Sequence, residues 1–254
     1  MAAAYGRVYA GVYDQKWTDF AARAAPRLYE YATSLTSGGE HRTVLDIGCG
    51  TGNVLLYFLD KGYEGTGLDL SPHMLEHARR NCSTHVEQGR ARFFEADATS
   101  FTVDSPSDVA LATFDMYNHL PDYQHLELAL AAARRAVSSG GVFLFDLVTR
   151  RGMYRWNIIE VDDSEGSLVI SRGIYDGQGE KAHYRHTGFV ERSDGLYERF
   201  DETGSMSVYD LEQVRQALIG AGWSFVHFAR PDALESPLDA PENENRVFVV
   251  ARAD

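Results

Sequence analysis

Short apolar runs alternate with amphipathic stretches over the first 150 residues of the chain. The runs that favour β-strands fall at residues 43–47, 65–68, 92–95, 109–113 and 142–147. Apolar positions with helical spacing lie between them at residues 53–61, 72–81 and 123–136, and an aromatic-rich helical region covers residues 5–36. Strands that alternate with helices predict an α/β fold with a parallel sheet covered on both faces.

The pattern changes after residue 150. Residues 150–208 alternate polar and apolar positions and contain glycine-rich turns, which predicts antiparallel hairpins; the turns are Glu165-Gly166, Asp176-Gly177-Gln178-Gly179 and Asp194-Gly195. A helix at 210–221 and two strands at 224–228 and 246–251 follow, the last strand antiparallel. We therefore expect one domain over 1–254. It has a doubly wound, mostly parallel, seven-stranded sheet, an N-terminal helical lid (1–40) and an antiparallel insertion (150–208) over the ligand crevice.

Composition narrows the possible partners. The 254 residues include 24 basic and 37 acidic side chains, a formal net charge of −13, and 44% are hydrophobic. The acidic excess disfavours nucleic acid and anionic membranes as partners. No apolar signal segment or membrane-spanning run is present, and two cysteines, Cys49 and Cys82, make no disulfide framework. These features predict a cytoplasmic protein.

A glycine-rich turn follows the first strand, in the segment Asp46-Ile-Gly48-Cys-Gly50-Thr-Gly52. Its glycines allow positive φ and close approach of a ligand, and the helix that follows presents free N–H groups. The spacing fits neither the G-x-G-x-x-G dinucleotide fingerprint nor the phosphate-binding P-loop. A ligand with a non-phosphate tail is indicated.

Acidic residues end the next two strands. Asp69 lies 17 residues after Gly52, where a carboxylate can accept both hydroxyls of a ribose. Asp97 follows the third strand and can accept from the exocyclic amine of adenine. A nucleoside between these acids, with its tail on the glycine turn, suits S-adenosylmethionine better than NAD.

Three segments resemble successive motifs of the Rossmann-like S-adenosylmethionine-dependent methyltransferases: Val44-Leu-Asp-Ile-Gly-Cys-Gly-Thr-Gly-Asn53, Leu68-Asp-Leu-Ser-Pro-His-Met-Leu75 and Glu95-Ala-Asp97. The resemblance covers residues 43–149. It implies that Asp46 and the glycines border the methionine moiety, that Asp69 binds the ribose, that Met74 packs on adenine and that Asp97 and Ala98 face its edge. The implied cofactor-binding set is Asp46, Gly48, Gly50, Gly52, Asp69, Leu70, Met74, Asp97, Ala98 and Thr113.

Two residues are candidates for the chemistry. Tyr13, in a Tyr13-Asp14 pair similar to that of small-molecule family members, either helps cover the sulfonium or packs with its aromatic neighbours. His119 precedes Leu120 in the loop after the fourth strand, as a histidine does in the aminosugar N-methyltransferases, which this loop resembles. His119 is either a general base or a residue that caps the loop.

Two histidine pairs imitate metal motifs. His73-Met-Leu-Glu-His77 matches H-x-x-E-H, but it follows the ribose acid at the start of a helix that begins Ser71-Pro72. His183 and His186 are three residues apart on a strand and lie on opposite faces. We predict no metal.

Taken together, the sequence predicts transfer of a methyl group from S-adenosylmethionine to a small molecule, with N-methylation favoured over O-methylation. Two alternatives are a cyclase or eliminase that uses the sulfonium without methyl transfer, and a non-catalytic regulator that binds the cofactor. A homodimer is possible because tyrosine and tryptophan of the insertion are suited to an interface as well as to an acceptor site.

Overall fold

The computed structural model describes residues 5–36, 42–164 and 166–254. The helices are α1 (Arg7–Lys16), α2 (Asp19–Leu35), α3 (Asn53–Asp60), α4 (Pro72–Asn81), α5 (Ser83–Glu87), α6 (Tyr123–Arg135), α7 (Arg150–Met153) and α8 (Leu211–Gly220). The strands are β1 (Thr43–Ile47), β2 (Glu64–Asp69), β3 (Ala91–Glu95), β4 (Ser107–Ala112), β5 (Val137–Val148), β6 (Ile159–Ser164), β7 (Ser167–Ile174), β8 (Lys181–Glu191), β9 (Tyr197–Ser207), β10 (Phe225–Ala229) and β11 (Arg246–Arg252).

The main sheet has seven strands in the order β10-β11-β5-β4-β1-β2-β3. Strand β11 runs antiparallel to both of its neighbours, and the pairs from β5 to β3 are parallel. This confirms the predicted fold, including the antiparallel last strand. The strand order reverses between β1 and β4, so the ligand crevice is expected beyond the carboxyl ends of these strands.

Two apolar layers cover this sheet. Leu45 and Ile47 of β1 face the core formed with α6 and α8, whereas Val44 faces the core formed with α2 and α3. Strands that are buried on both faces have continuous apolar sequences. For this reason the sequence pattern predicted β1, β4 and β5. None of the helices in the described ranges is long and apolar enough to cross a membrane.

The insertion forms a second sheet, in the order β6-β7-β8-β9 with every pair antiparallel. Asp176 accepts hydrogen bonds from the backbone N–H groups of Gln178 and Gly179 at one predicted turn. Glu165, in another predicted turn, lies outside the described residues. This sheet packs on α1, where Tyr9 and Val12 meet apolar side chains of β7 and β9.

The N-terminal helical region is divided in two. Helix α1 ends at Lys16 and α2 begins at Asp19, and the C-terminal cap of α1, Trp17, leaves the helical conformation with φ −108° and ψ 33°. The break lets α1 lie between α4 and the insertion while α2 packs on the main sheet. Residues 1–4 and 37–40 of the predicted lid lie outside the described residues.

Candidate active site

The glycine turn between β1 and α3 has the backbone that its sequence predicts. Gly48, Gly50 and Gly52 have φ values of +70°, +54° and +81°. A Cβ atom on Gly48 would lie 2.3 Å from the Cγ atom of Met116, and one on Gly50 would lie 3.8 Å from Cε1 of Tyr13. The turn therefore requires glycine for its backbone conformation, and at Gly48 also for space.

Two acids stand at the ends of neighbouring strands beside this turn. Asp46 of β1 pairs with Gly67 of β2, so Asp46 and Asp69 project from the same face of the sheet. Asp46 is 1% exposed, and its Oδ1 atom has no hydrogen-bond partner among the described residues. Burial, together with the nearby charge of Asp69, raises the pKa of Asp46 to about 7. A buried carboxyl oxygen without a partner is suited to a ligand that supplies a cation or an N–H group.

The carboxylate of Asp69 fixes the glycine turn. It accepts the backbone N–H of Gly50 at 3.0 Å and that of Ser71 at 2.8 Å. Burial raises the pKa of Asp69, and these two hydrogen bonds oppose the rise. Because each carboxylate oxygen has two acceptor positions, Asp69 can hold the turn and still accept from ligand hydroxyls.

The predicted adenine contacts differ in exposure. Leu70 is 58% exposed next to Asp69, whereas Met74 is 2% exposed and packs inside the protein. Asp97 is exposed, and its Oδ1 atom accepts from the backbone N–H and the hydroxyl of Thr99 at 2.8 and 2.7 Å. Ala98 beside it is half-buried. Leu70 therefore presents an apolar surface at this edge, and the contact of Met74 with adenine stays a prediction.

Tyr13 of α1 lies over the glycine turn. Its ring centroid is 5.6 Å from that of Trp17 and 6.1 Å from that of Phe114. With Gly50 and the buried Thr113, these side chains line a narrow cavity. Burial raises the pKa of Tyr13, so its phenol is neutral. Tyr13 both packs with aromatic neighbours and faces the crevice, and the two interpretations of this residue stay open.

The loop after β4 has an unusual backbone. Phe114 and Asp115 have φ values of +62° and +53°, and a 3₁₀ turn, Met116–His119, follows them. Asn118, which is fully buried, holds the turn: its amide donates to the carbonyls of Val148 and Ser207 and accepts the N–H of Val148. The loop is thereby tied to both sheets.

His119 is placed where the main sheet and the insertion meet. Its Nδ1 atom lies 3.4 Å from the Tyr184 hydroxyl, its Nε2 atom lies 3.9 Å from Oδ2 of Asp115, and its ring is 6.3 Å from that of Tyr5. The side chain is 28% exposed. Burial lowers the pKa of His119, and Asp115 opposes this shift. The imidazole is therefore neutral at physiological pH.

Comparison with known proteins gives a consistent result. Residues 44–141 match the family described as a methyltransferase domain. A putative methyltransferase of Geobacillus sp. (strain WCH70) is 28% identical over 215 residues, which cover 83% of this chain and 84% of that protein. The chain therefore carries a methyltransferase domain, and its relatives support an S-adenosylmethionine-dependent methyltransferase.

Solved structures support the fold of this methyltransferase. An S-adenosylmethionine-dependent methyltransferase from Clostridium acetobutylicum ATCC 824 superposes with a TM-score of 0.80 at 19% identity, covering 96% of this chain and 97% of that one. The sugar N-methyltransferase KedS8 from Streptoalloteichus sp. ATCC 53650 gives 0.73 at 21% identity, covering 92% and 88%. The resemblance seen in the sequence motifs is confirmed, and S-adenosylmethionine is the cofactor.

The sequence pattern did not identify three charged residues that lie next to the candidate site. Arg246, the first residue of β11, forms ion pairs with Asp115 and Asp146. Asp146 lies inside the apolar strand β5 and is fully buried. An acid within such an apolar run is the signal that could have identified it, because buried charges are paired or functional.

One histidine of each pair that matches a metal motif has another partner. Nδ1 of His77 is 2.9 Å from Asp14, and Nδ1 of His186 is 2.9 Å from the Ser171 hydroxyl. Within residues 5–36, 42–164 and 166–254, no group of three potential ligands has the geometry of a metal site. The absence of a metal from the methyltransferase stays a prediction.

Proposed function

We propose that this methyltransferase transfers the methyl group to nitrogen of a small-molecule amine, with His119 as the general base. The observation that carries this proposal is the position of His119. Its imidazole is neutral, and it lies between the rings of Tyr5 and Tyr184 with the carboxylate of Asp115 behind it. Aromatic faces and a carboxylate favour a cationic or partly cationic amine over an anionic acceptor.

The acid–base chemistry also favours nitrogen. S-adenosylmethionine supplies the methyl group on a sulfonium. A protonated amine has a pKa within a few units of that of imidazole, so His119 can take up its proton. An alcohol has an acidity close to that of water, whose pKa is 15.7, and a neutral imidazole is a poor base for it. The amino group of lysine, with a pKa near 10.4, illustrates the smaller gap.

We assign the cofactor contacts by chemistry. Asp46 and the glycine turn fit the cationic methionine end, because Asp46 offers a buried oxygen that has no partner in the part of the chain that the structure describes. Asp69 fits the ribose hydroxyls, and Leu70 provides an apolar surface for the base next to it. We further assign Met74, Asp97 and Ala98 to the adenine side, and Tyr13 and Thr113 to the cover of the reacting centre.

We also propose that residues 1–254 act as one unit. Helix α1 lies against both the glycine turn and the insertion, through Tyr13 on one side and Tyr9 on the other. The insertion brings Tyr184 to His119. On this proposal residues 1–40 cover the cofactor and residues 150–208 form one wall of the acceptor site, which serves to align the reactants and exclude water.

The experiment is product analysis with matched acceptors. Purified protein is incubated with S-adenosylmethionine and pairs of small molecules that differ only in amine or hydroxyl, beginning with glucosamine and glucose. Mass spectrometry should find S-adenosylhomocysteine and an N-methylated product. An O-methylated product would overturn the preference for nitrogen. Methylthioadenosine would indicate the cyclase or eliminase, and binding without turnover across the pairs would indicate a regulator.

Substitution of His119 tests its role. We expect His119→Ala to lower kcat by about 10²-fold or more, because loss of a general base typically has this effect, while cofactor affinity stays within about threefold. The matched control is His125→Ala, which removes an exposed histidine paired with Asp122 on α6 and should leave kcat unchanged. A fall of less than about tenfold for His119→Ala would reassign this residue to orientation of the acceptor.

A further inference from the structure

One guanidinium joins two acids beneath the active site. Nη2 of Arg246 donates to Oδ1 of Asp115 at 2.6 Å, and Nη1 donates to Oδ2 of Asp146. Asp146 and Asp115 are 0% and 5% exposed. Burial raises the pKa of Asp146 and Arg246 opposes this, while the two carboxylates hold the pKa of Arg246 above its ordinary value despite burial. The three groups form a charge cluster in which the two acids are buried and the Arg246 side chain is 24% exposed.

This cluster holds a strained turn. The successive N–H groups of Phe114 and Asp115, both in the left-handed region, donate to the two oxygens of Asp146 at 2.6 and 3.0 Å. Successive N–H groups that converge in this way form an anion-binding concavity, and here a side chain of the protein fills it. Left-handed residues other than glycine persist only where surrounding contacts fix them.

The two residues of this turn face different parts of the crevice. Phe114 stacks on Phe20 with ring centroids 4.7 Å apart, and the guanidinium of Arg246 lies 5.3 Å from the Phe20 ring, on the side of the cofactor cavity. Asp115 points toward the acceptor side, where Oδ2, the oxygen not bonded to Arg246, lies 3.9 Å from Nε2 of His119. Asp115 therefore lies between Arg246 and His119 and is the residue that connects them.

We propose that Arg246 is a positioning residue that acts on His119 through Asp115. It fixes the Asp115 carboxylate and balances its charge, so that the imidazole facing it remains unprotonated and oriented toward the acceptor. The expected effect of Arg246 on turnover rests on the proposed function, because it requires His119 to act in the reaction. The expected effect of Arg246 on the protonation of the His119 imidazole is independent of the proposed function.

Three titratable side chains packed around His119 are neutral: Tyr184, His186 and Tyr5. Burial raises the pKa of Tyr184 to about 12 and lowers that of His186 to about 4, and burial also raises the pKa of Tyr5. Glu202 of β9 acts on Tyr184 and accepts the N–H of Gly6 at 2.8 Å. Asp115 is therefore the charged group that faces the imidazole at short range, with Arg246, Asp146 and Glu202 beyond it.

The test is Arg246→Gln, read by NMR titration of the His119 imidazole in isotopically labelled protein. Without the guanidinium, the Asp115 carboxylate acts on the imidazole unbalanced and favours the charged form, so the pKa of His119 should rise by about one unit. The acid limb of the pH profile of turnover should move to higher pH by the same amount as the imidazole pKa, with turnover unchanged on the alkaline side. Arg246→Lys keeps the charge without the two-armed bond and should shift the pKa less.

A double variant identifies the path. In Arg246→Gln with Asp115→Asn the shift should disappear, because the carboxylate that transmits it is absent. If Arg246→Gln fails to fold, Asp115→Asn alone keeps the pair of Arg246 with Asp146 and should lower the His119 pKa. An unchanged pKa in both single variants, or a shift that survives Asp115→Asn, overturns the proposal. A shifted pKa combined with full turnover of His119→Ala supports the positioning role and overturns the general-base role.

Discussion

The proposed cofactor end and the proposed acceptor end of the crevice are built differently. At the cofactor end, the glycine turn, Asp69 and Asp97 come from residues 46–97, and Asp69 fixes the turn through hydrogen bonds to its backbone. At the acceptor end, side chains that are distant in sequence meet: Tyr5, His119, Tyr184 and Arg246. The first region depends on backbone conformation, and the second depends on tertiary contacts between charged and aromatic groups.

This difference explains what each region does. A donor shared by a family can be bound by a local motif whose geometry follows from glycine and one carboxylate. An acceptor that varies between relatives requires surfaces that several elements contribute, and on our proposal the insertion, the β4 loop and α1 supply them. We therefore expect backbone changes to disrupt cofactor binding, and changes of charge or hydrogen bonding to act on the acceptor end.

The largest effect is expected from Gly50→Val. A β-branched residue cannot adopt a φ of +54° without strain, and its side chain would extend into the space before Tyr13. Cofactor binding should be lost by calorimetry. The matched control is Gly62→Val, where φ is +91° and nothing lies within 4 Å of an added Cβ atom, so only stability should fall. Equal cofactor affinity in both variants would remove the glycine turn from the site.

The adjacent residues Asn118 and His119 offer the next contrast. Asn118→Ala leaves the N–H and carbonyl of Val148 and the carbonyl of Ser207 without their buried partner. The free energy of unfolding should fall by about 3–4 kcal/mol in denaturant titrations. His119→Ala should lower it by less than about 1 kcal/mol, because its side chain is partly exposed and makes one long hydrogen bond. If both variants lose the same stability, His119 is a structural residue.

Asp69→Ala should weaken S-adenosylmethionine binding by about 2–3 kcal/mol, or about 30- to 150-fold, because a charged acceptor of ribose hydroxyls is removed. The control is Asp108→Ala at the opposite end of the sheet. Asp108 also accepts a backbone N–H, that of Thr43 at 2.9 Å. Asp108→Ala therefore reproduces the loss of a backbone hydrogen bond without the loss of a ribose contact. Unchanged affinity after Asp69→Ala would place the ribose elsewhere.

The sequence predicted the glycine turn and the start of α4 better than the contacts around His119, for a physical reason. Ser71 accepts the N–H of Met74 and Pro72 occupies the first position of α4, so that the residues themselves specify where this helix begins. The pairing of Arg246 with Asp115 spans 131 residues, and no local pattern encodes it. The break between α1 and α2 was also missed; Trp17, which stands at the break, packs on Tyr9 and on His186 of the insertion.

Asp46 gives the smallest expected effect and tests the cofactor end by charge instead of backbone. Its pKa is about 7 in the folded protein, so it is about half protonated at neutral pH. If it meets the cationic methionine end, binding requires the carboxylate and releases the proton. Affinity should therefore rise about tenfold between pH 6 and pH 8, as linkage requires for one proton with this pKa.

Calorimetry in buffers of different ionisation enthalpy measures the released proton directly. Asp46→Asn should abolish both the proton release and the pH dependence of affinity.

The raised pKa of Asp46 also affects the stability of the protein, and the sign of the effect is known. The folded protein holds the proton more tightly than the unfolded chain, so the contribution of Asp46 to stability falls as pH rises from about 4 to about 7. Asp46→Asn should remove this slope as well. If the affinity of Asp46→Asn still depends on pH, the proton belongs to another group. The cofactor end would then depend, like the acceptor end, on a charged residue that the sequence motif does not identify.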